Sequence, residues 1–135
     1  MVQTGFWLGR RDWWVMATID IGSQEDLDKT VEALLSVGCT QEDAEKVART
    51  LSEPDTGYTY TDYDGRFTLA FVARGSSPEQ FYDTVQHELK HIVEHISTFY
   101  GVDPKSEEAA YLQGEVGRML FPAVAAVLCP SSFIR

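Results

Sequence analysis

Residues 77–101, SPEQFYDTVQHELKHIVEHISTFYG, carry the signals of one long helix. Ser77 can cap the helix, and Pro78 stands at the first helical position, where proline is well tolerated. The pattern predicts a helix that runs to about Phe99, and Gly101 is positioned to end it. All three histidines of the chain lie on this helix. Its packing therefore decides both the fold and the surroundings of any site built on these histidines.

A second helical pattern follows the long helix. It begins with Asp103 and Pro104 and carries residues 106 to about 120. We expect it to break or restart at Pro122, because proline removes a helical hydrogen bond. The chain reverses between Phe99 and Asp103, so the two helices are expected to pack antiparallel.

A β-hairpin pattern precedes the long helix, over residues 58–72. Its two halves, YTYTDY and RFTLAFV, flank an Asp-Gly dipeptide at 64–65, which favours the positive φ values of a type I′ turn. Phe67, Leu69 and Phe71 alternate along the second strand, so the face they share is expected to cover the core.

The N-terminal part of the chain adds a strand and two helices. WWVMATIDI, residues 13–21, is rich in β-branched and aromatic residues and predicts a strand. Ser23 can cap a helix that runs to about Ser36, and Thr40 can cap another over residues 41–51. The order of strand, two helices, hairpin, long helix and helix indicates an α+β fold. Its sheet is expected to be small, mostly antiparallel and packed against helices.

Length and composition restrict the class of protein. The 135 residues fit a single domain, 1–135, and a hydrophobic fraction of 44% argues against disorder. The formal net charge of -10 makes nucleic acid an unfavourable partner, because its phosphates would be repelled. Cys39 and Cys129 form no disulfide framework or metal cluster. With no signal peptide and no membrane-spanning run, the sequence predicts a soluble, cytoplasmic protein.

The segment HELKH, residues 87–91, places two histidines one helical turn apart. Because residues four apart share a helix face, the imidazoles of His87 and His91 can point at one zinc ion, which accepts such nitrogens at about 2.0–2.1 Å. Glu88 lies about 100° round the helix, outside the ligand set but within reach of a water on the metal. This H-E-x-x-H pattern is typical of zinc metallopeptidases. His95 lies about 12 Å along the axis from His87 and is interpreted as a core or supporting residue.

A third metal ligand has to come from elsewhere, because two histidines leave zinc under-coordinated. The start of the next helix offers Glu107 and Glu108. Glu107 shares a stripe of small residues with Ala110 and Gly114, which would allow the helices to approach closely, whereas Glu108 is rotated by about 100°. The sequence therefore favours Glu107 over Glu108 in a set of two histidines and one glutamate that holds one Zn²⁺.

HELKH followed by EEAAYL resembles the gluzincin-type zincin metallopeptidases. The resemblance covers about residues 78–120 and is greatest to the compact members that phages and mobile elements encode. It implies a zincin-like fold with a central H-E-x-x-H helix. It also implies that His87, His91 and Glu107 bind zinc and that Glu88 is the catalytic base.

The activity expected from these residues is hydrolysis of peptide bonds in a peptide or protein substrate. Zinc would lower the pKa of its bound water toward about 7, and Glu88 would take that water's proton and pass it to the leaving amine. An extended substrate is expected to add to a free edge of the strand predicted at 67–73. Asp83 and Glu94 are candidate partners for the histidine N–H groups.

The alternative is a zinc-stabilised domain that binds a partner protein and has no catalytic activity. A metal position open to water would favour the enzyme, and a fourth protein ligand would favour the binding domain. Glu88 favours the enzyme, because a structural zinc site needs no base.

Overall fold

The computed structural model of the chain describes residues 1–129. These residues form an α+β fold with one four-stranded sheet and four helices. The elements in chain order are β1 Val2–Leu8, β2 Trp13–Ile21, α1 Gln24–Ser36, α2 Gln41–Leu51, β3 Gly57–Asp62, β4 Phe67–Ala73, α3 Pro78–Tyr100 and α4 Glu107–Leu128.

The sheet is mixed, and its strand order is β1-β2-β4-β3. β1 pairs with β2, and β3 with β4, in antiparallel register, as predicted for a mostly antiparallel sheet. The central pair of β2 and β4 is parallel, which the sequence analysis did not predict. A parallel pair needs a long crossover, and α1 and α2 lie within that connection.

The strand order corrects the predicted position of the substrate. β4 is hydrogen-bonded to β2 on one side and to β3 on the other, so it has no free edge. The prediction that a substrate adds to residues 67–73 is therefore wrong. The sheet edge that lies beside α3 belongs to β3.

Each face of the sheet has its own hydrophobic core. Alternate residues of β4, among them Ala70 and Val72, pack into the larger core beneath α3 and α4. Leu69 and Phe71 point the other way, into a smaller core with residues of α1 and α2. The predicted alternation in this strand is confirmed, and the face with Leu69 and Phe71 covers the smaller of the two cores.

Three predicted helix starts and the end of α3 are confirmed, whereas α4 begins at Glu107 after the capping residue Ser106 and not at Asp103 and Pro104. The side chains of Ser23, Thr40 and Ser77 each accept a hydrogen bond from the backbone N–H three residues further on. Gly101 ends α3 in the left-handed conformation, with φ of 66°, which a residue without Cβ adopts at little cost. These boundaries depend on contacts within a few residues and are therefore readable from local sequence.

α4 is longer than predicted, because Pro122 does not interrupt it. The helix is continuous from Glu107 to Leu128. Leu120, Ala123 and Val124 on either side of the proline are buried in the larger core, and such burial can outweigh the lost hydrogen bond. Among residues 1–129, no helix has the length and apolar character to cross a membrane.

The loop between β3 and β4 is not the predicted type I′ turn. The strand pairing ends at Asp62 and Phe67, so four residues, 63–66, form the connection. The positive φ of 54° falls on Arg66 and not on Gly65. Gly65 instead donates its backbone N–H to Oδ1 of Asp62 at 2.7 Å.

β1 is a strand that the sequence analysis did not predict. Gly5 interrupts its side-chain pattern, and glycine in a strand is normally unfavourable. In the sheet, the indole of Trp14 covers this position: a Cβ on Gly5 would lie 2.5 Å from Cζ2 of Trp14. The neighbouring strand thus supplies packing that residue 5 lacks, which is a contact invisible to local sequence patterns.

Candidate functional site

His87 and His91 converge on the solvent-facing side of α3. Their Nε2 atoms lie 3.1 Å apart, and their rings meet edge to face with centroids 4.7 Å apart. Two imidazole nitrogens on one tetrahedral zinc ion would be about 3.3 Å apart, given a metal–nitrogen distance of about 2.0–2.1 Å. The same separation also fits an N–H···N hydrogen bond between two neutral imidazoles. The pair is therefore compatible with two ligand positions of one ion.

Glu88 lies on the side of α3 that faces β3 and is buried, with 5% of its surface exposed. Thr59 on β3 donates its hydroxyl to Oε1 of Glu88 at 2.7 Å. The other carboxylate oxygen lies against Gly57, where a Cβ would come within 2.5 Å of Oε2. A hydroxyl on one side and a bare backbone on the other thus hold this carboxylate between α3 and the edge strand.

Glu94 and His95 extend the polar side of α3 by one more turn. Oε2 of Glu94 lies 3.8 Å from Nδ1 of His91, which is longer than a hydrogen bond, so the role of Glu94 as a partner of a histidine N–H stays a prediction. Nδ1 of His95 is hydrogen-bonded to the hydroxyl of Thr61 at 2.8 Å. Burial lowers the pKa of His95, and neighbouring His91 acts in the same direction, whereas the carboxylates of Glu94 and Glu88 oppose the shift.

Glu107 and Glu108 are not part of this arrangement. Glu107 is exposed, and Glu108 forms an ion pair with Arg11 in the loop between β1 and β2. Within residues 1–129, no three His, Cys, Asp or Glu side chains are placed to hold one metal ion. The structure brings His87 and His91 together and does not bring Glu107 to them.

The packing of α4 explains this separation. α4 lies along the side of α3 that carries Leu89 and Val93. A Cβ added to Gly117 of α4 would lie 3.5 Å from Cδ1 of Leu89. Leu89 is two residues beyond His87, and therefore about 200° round the helix from it. The helices approach each other at Gly117, on a different face from the two imidazoles, whereas Gly114 of the predicted stripe has no atom within 4 Å of an added Cβ. The prediction that this stripe allows close approach is therefore wrong.

The donor set consequently fits zinc in part. His87 and His91 supply two nitrogens of the kind that zinc prefers, whereas catalytic zinc usually has three protein ligands. The described residues provide no third one.

β3 supplies functional contacts that the sequence analysis missed. Gly57, Thr59 and Thr61 alternate along one face of this strand and meet Glu88 and His95 on α3. The sequence did carry a signal for this, because small or hydroxyl residues occupy every second position of GYTYT, residues 57–61. It indicates a strand face turned toward something polar.

No protein-family model, no curated protein and no solved structure matches this chain. Its function therefore has to follow from the residues of the site.

Proposed function

We propose that this chain is a zinc-dependent metallopeptidase of zincin-like architecture, in which His87 and His91 bind the metal and Glu88 is the base. The convergence of the two Nε2 atoms to 3.1 Å is the observation that carries this proposal. The carboxylate that follows the first histidine is held in one position by Thr59, as a base beside a metal has to be.

The edge of β3 is the proposed position of a peptide or protein substrate. β3 is the outermost strand on this side of the sheet, and α3 packs against it. An extended peptide can add to such an edge through backbone hydrogen bonds. It would then lie along Thr59 and Thr61, the residues that contact Glu88 and His95.

The side chains of the site have distinct roles in this proposal. When bound, zinc would polarise the scissile carbonyl and increase the acidity of the attacking water. Glu88 would hold the water's proton on its carboxylate and pass it to the leaving amine. Thr59 would keep that carboxylate in one rotamer, and Glu94 would orient the ring of His91 through Nδ1.

A zinc-stabilised domain that binds a partner protein without catalysis is the second candidate. The burial of Glu88 favours it, because a carboxylate bound to Thr59 and only 5% exposed is suited to joining α3 to β3.

Metal analysis and a cleavage assay on the same variants separate the two candidates. We expect wild type to bind one zinc ion and His87→Ala to lose most of it. Glu88→Gln should keep the zinc and lose cleavage of unfolded casein, with His95→Gln as a histidine control that keeps its zinc. Glu107→Gln should also keep its zinc, and a loss of zinc in this variant would identify Glu107 as the third ligand.

The outcomes bear on different parts of the proposal. Equal zinc content in wild type and His87→Ala would remove the metal site. Zinc binding without casein cleavage by wild type would leave the binding domain as the explanation. Undiminished cleavage by Glu88→Gln would remove Glu88 as the base and leave the histidine ligands in place.

A further inference from the structure

A chain of four hydrogen-bonded side chains runs from the core to the candidate site. Nε1 of Trp13 donates to Oγ1 of Thr68 at 3.0 Å. The hydroxyls of Thr68 and Thr61 lie 2.9 Å apart, and Oγ1 of Thr61 lies 2.8 Å from Nδ1 of His95. The chain crosses from β2 through β4 and β3 to α3, and Trp13 and Thr68 are both 0% exposed.

The direction of this chain follows from the indole at its start. An indole N–H can only donate, so Thr68 accepts at this end. Thr68 has one proton of its own, and the only other side chain with which it forms a hydrogen bond in residues 1–129 is Thr61, so the proton of Thr68 goes to Thr61. Thr61 also has one proton, and Nδ1 of His95 is the one side-chain acceptor left for it among these residues, so Thr61 donates to Nδ1. Nδ1 of His95 is therefore an acceptor and carries no proton.

The remaining nitrogen of His95 is unpaired and not fully buried. Nε2 has no hydrogen-bond partner among residues 1–129, and the single fully buried side-chain polar atom without a partner there is Oγ of Ser97. The ring lies between Tyr63 and His91, with centroid distances of 6.3 and 6.1 Å. Nε2 is thus a free polar atom near both the histidine pair and the edge strand.

We infer that this chain fixes His95 as the neutral tautomer with its proton on Nε2, and that this N–H binds a carbonyl oxygen of a peptide lying along β3. The tautomer follows from the side-chain contacts alone, whereas the peptide contact rests on the proposed function. A ring whose Nδ1 already accepts from Thr61 has one remaining way to meet a peptide carbonyl, which is to donate from Nε2. The chain of hydrogen bonds thus orients the Nε2–H of His95 one helical turn beyond the proposed metal ligands.

Long-range nitrogen–proton NMR spectra of the metal-free protein test the tautomer. We expect wild-type His95 to show the pattern of a ring protonated on Nε2 at neutral pH. In Thr61→Val, which lacks the hydroxyl that donates to Nδ1, the ring should no longer favour the Nε2–H tautomer. Trp13→Phe should shift the population toward the Nδ1–H form, because it removes the indole N–H that sets the direction of donation along the chain. Thr59→Val, on the same strand face but outside the chain, should leave it unchanged. A wild-type ring protonated on Nδ1, or a pattern insensitive to Thr61→Val, would overturn the inference.

The two amide replacements of His95 test the peptide contact. The amide nitrogen of glutamine can take the place of Nε2, whereas asparagine matches only Nδ1. We expect His95→Gln to keep KM for casein peptides close to wild type and His95→Asn to raise it roughly 2- to 13-fold, the range for one lost hydrogen bond, with equal zinc content in both.

The functional outcomes distinguish failure of this inference from failure of the proposed function. Equal KM values for the two variants would overturn the peptide contact and leave the tautomer standing. A wild type that neither cleaves nor binds casein peptides would overturn the proposed function and the peptide contact together, and the NMR result would still decide the tautomer.

Discussion

Replacing Gly57 with alanine should force Glu88 out of its position. A Cβ on Gly57 would lie 2.5 Å from Oε2 and 2.7 Å from both Cγ and Cδ of Glu88, distances that are not tolerated between non-bonded atoms. The backbone of Gly57 is not in the left-handed region, so alanine could adopt its conformation without strain. The effect of the substitution therefore arises from the contact with Glu88.

The size of the effect follows from the packing of the site. Inserting a methyl group into a filled space costs about 1–3 kcal/mol. Displacing the carboxylate would also break its hydrogen bond with Thr59, which lies between two secondary-structure elements. In a Glu88→Ala background the methyl group meets no carboxylate, and Gly57→Ala should then be neutral or stabilising by up to about 1 kcal/mol. The two sites should thus show a coupling energy of at least about 1 kcal/mol.

Urea unfolding of wild type, both single variants and the double variant measures this coupling. The fluorescence of buried Trp13 reports the transition. With a slope of about 2 kcal/mol per molar urea, a loss of about 1 kcal/mol lowers the midpoint by about 0.5 M. If Gly57→Ala costs the same free energy with and without Glu88, the contact does not determine the role of Gly57, and the description of this carboxylate is wrong.

Two further predictions concern the helix end and a loop. Gly101→Ala should destabilise the protein by about 1 kcal/mol, because φ is 66° at this residue. Gly114→Ala, in the interior of α4 with no atom within 4 Å of the added Cβ, should stabilise it by up to about 1 kcal/mol. Melting temperatures that shift in the same direction in both variants would contradict this pair of predictions. Asp55 accepts hydrogen bonds from the hydroxyl and the backbone N–H of Ser76, which hold the pKa of its carboxyl below the usual value. A lowered pKa stabilises the fold at pH values above the unfolded-state pKa of about 3.9, and this stability is lost as the pH falls. Ser76→Ala should therefore lower the urea midpoint at neutral pH, and the difference between wild type and variant should shrink in acid. A difference in midpoint that is independent of pH would contradict this.

The parts of the fold that local chemistry determines could be predicted from the sequence. Ser23, Thr40 and Ser77 are bound to the backbone only three residues away, and Gly101 acts on its own helix. Such contacts leave a pattern in neighbouring residues. The two histidines that converge are also four residues apart, so the helix alone brings them together.

The parts that depend on distant partners could not be predicted in this way. Gly5 is tolerated in β1 because the ring of Trp14 covers it, and Pro122 is tolerated in α4 because residues on both sides of it in the helix are buried. The hydrogen bond between Thr59 and Glu88 joins residues that lie on different elements. None of these contacts changes the local pattern from which a strand, a turn or a helix end is read.

The choice of Glu107 as third ligand shows the same limitation. The stripe with Ala110 and Gly114 predicts that α4 approaches another helix, but not which side of that helix it meets. Hydrophobic burial decides the side, since α4 packs where Leu89 is buried and not where His87 is exposed. A pattern on one helix therefore cannot by itself assign a contact to a named residue on another.

The position of β4 between β2 and β3 has a consequence during protein synthesis. β2 ends at Ile21, but the strand that pairs with it in parallel is translated only after α1, α2 and β3. Until β4 leaves the ribosome, β2 presents an edge of unpaired backbone N–H and C=O groups, together with its uncovered apolar side chains, to other nascent chains. Truncated products that stop before Phe67 should therefore aggregate, whereas those that extend beyond Ala73 can close the sheet.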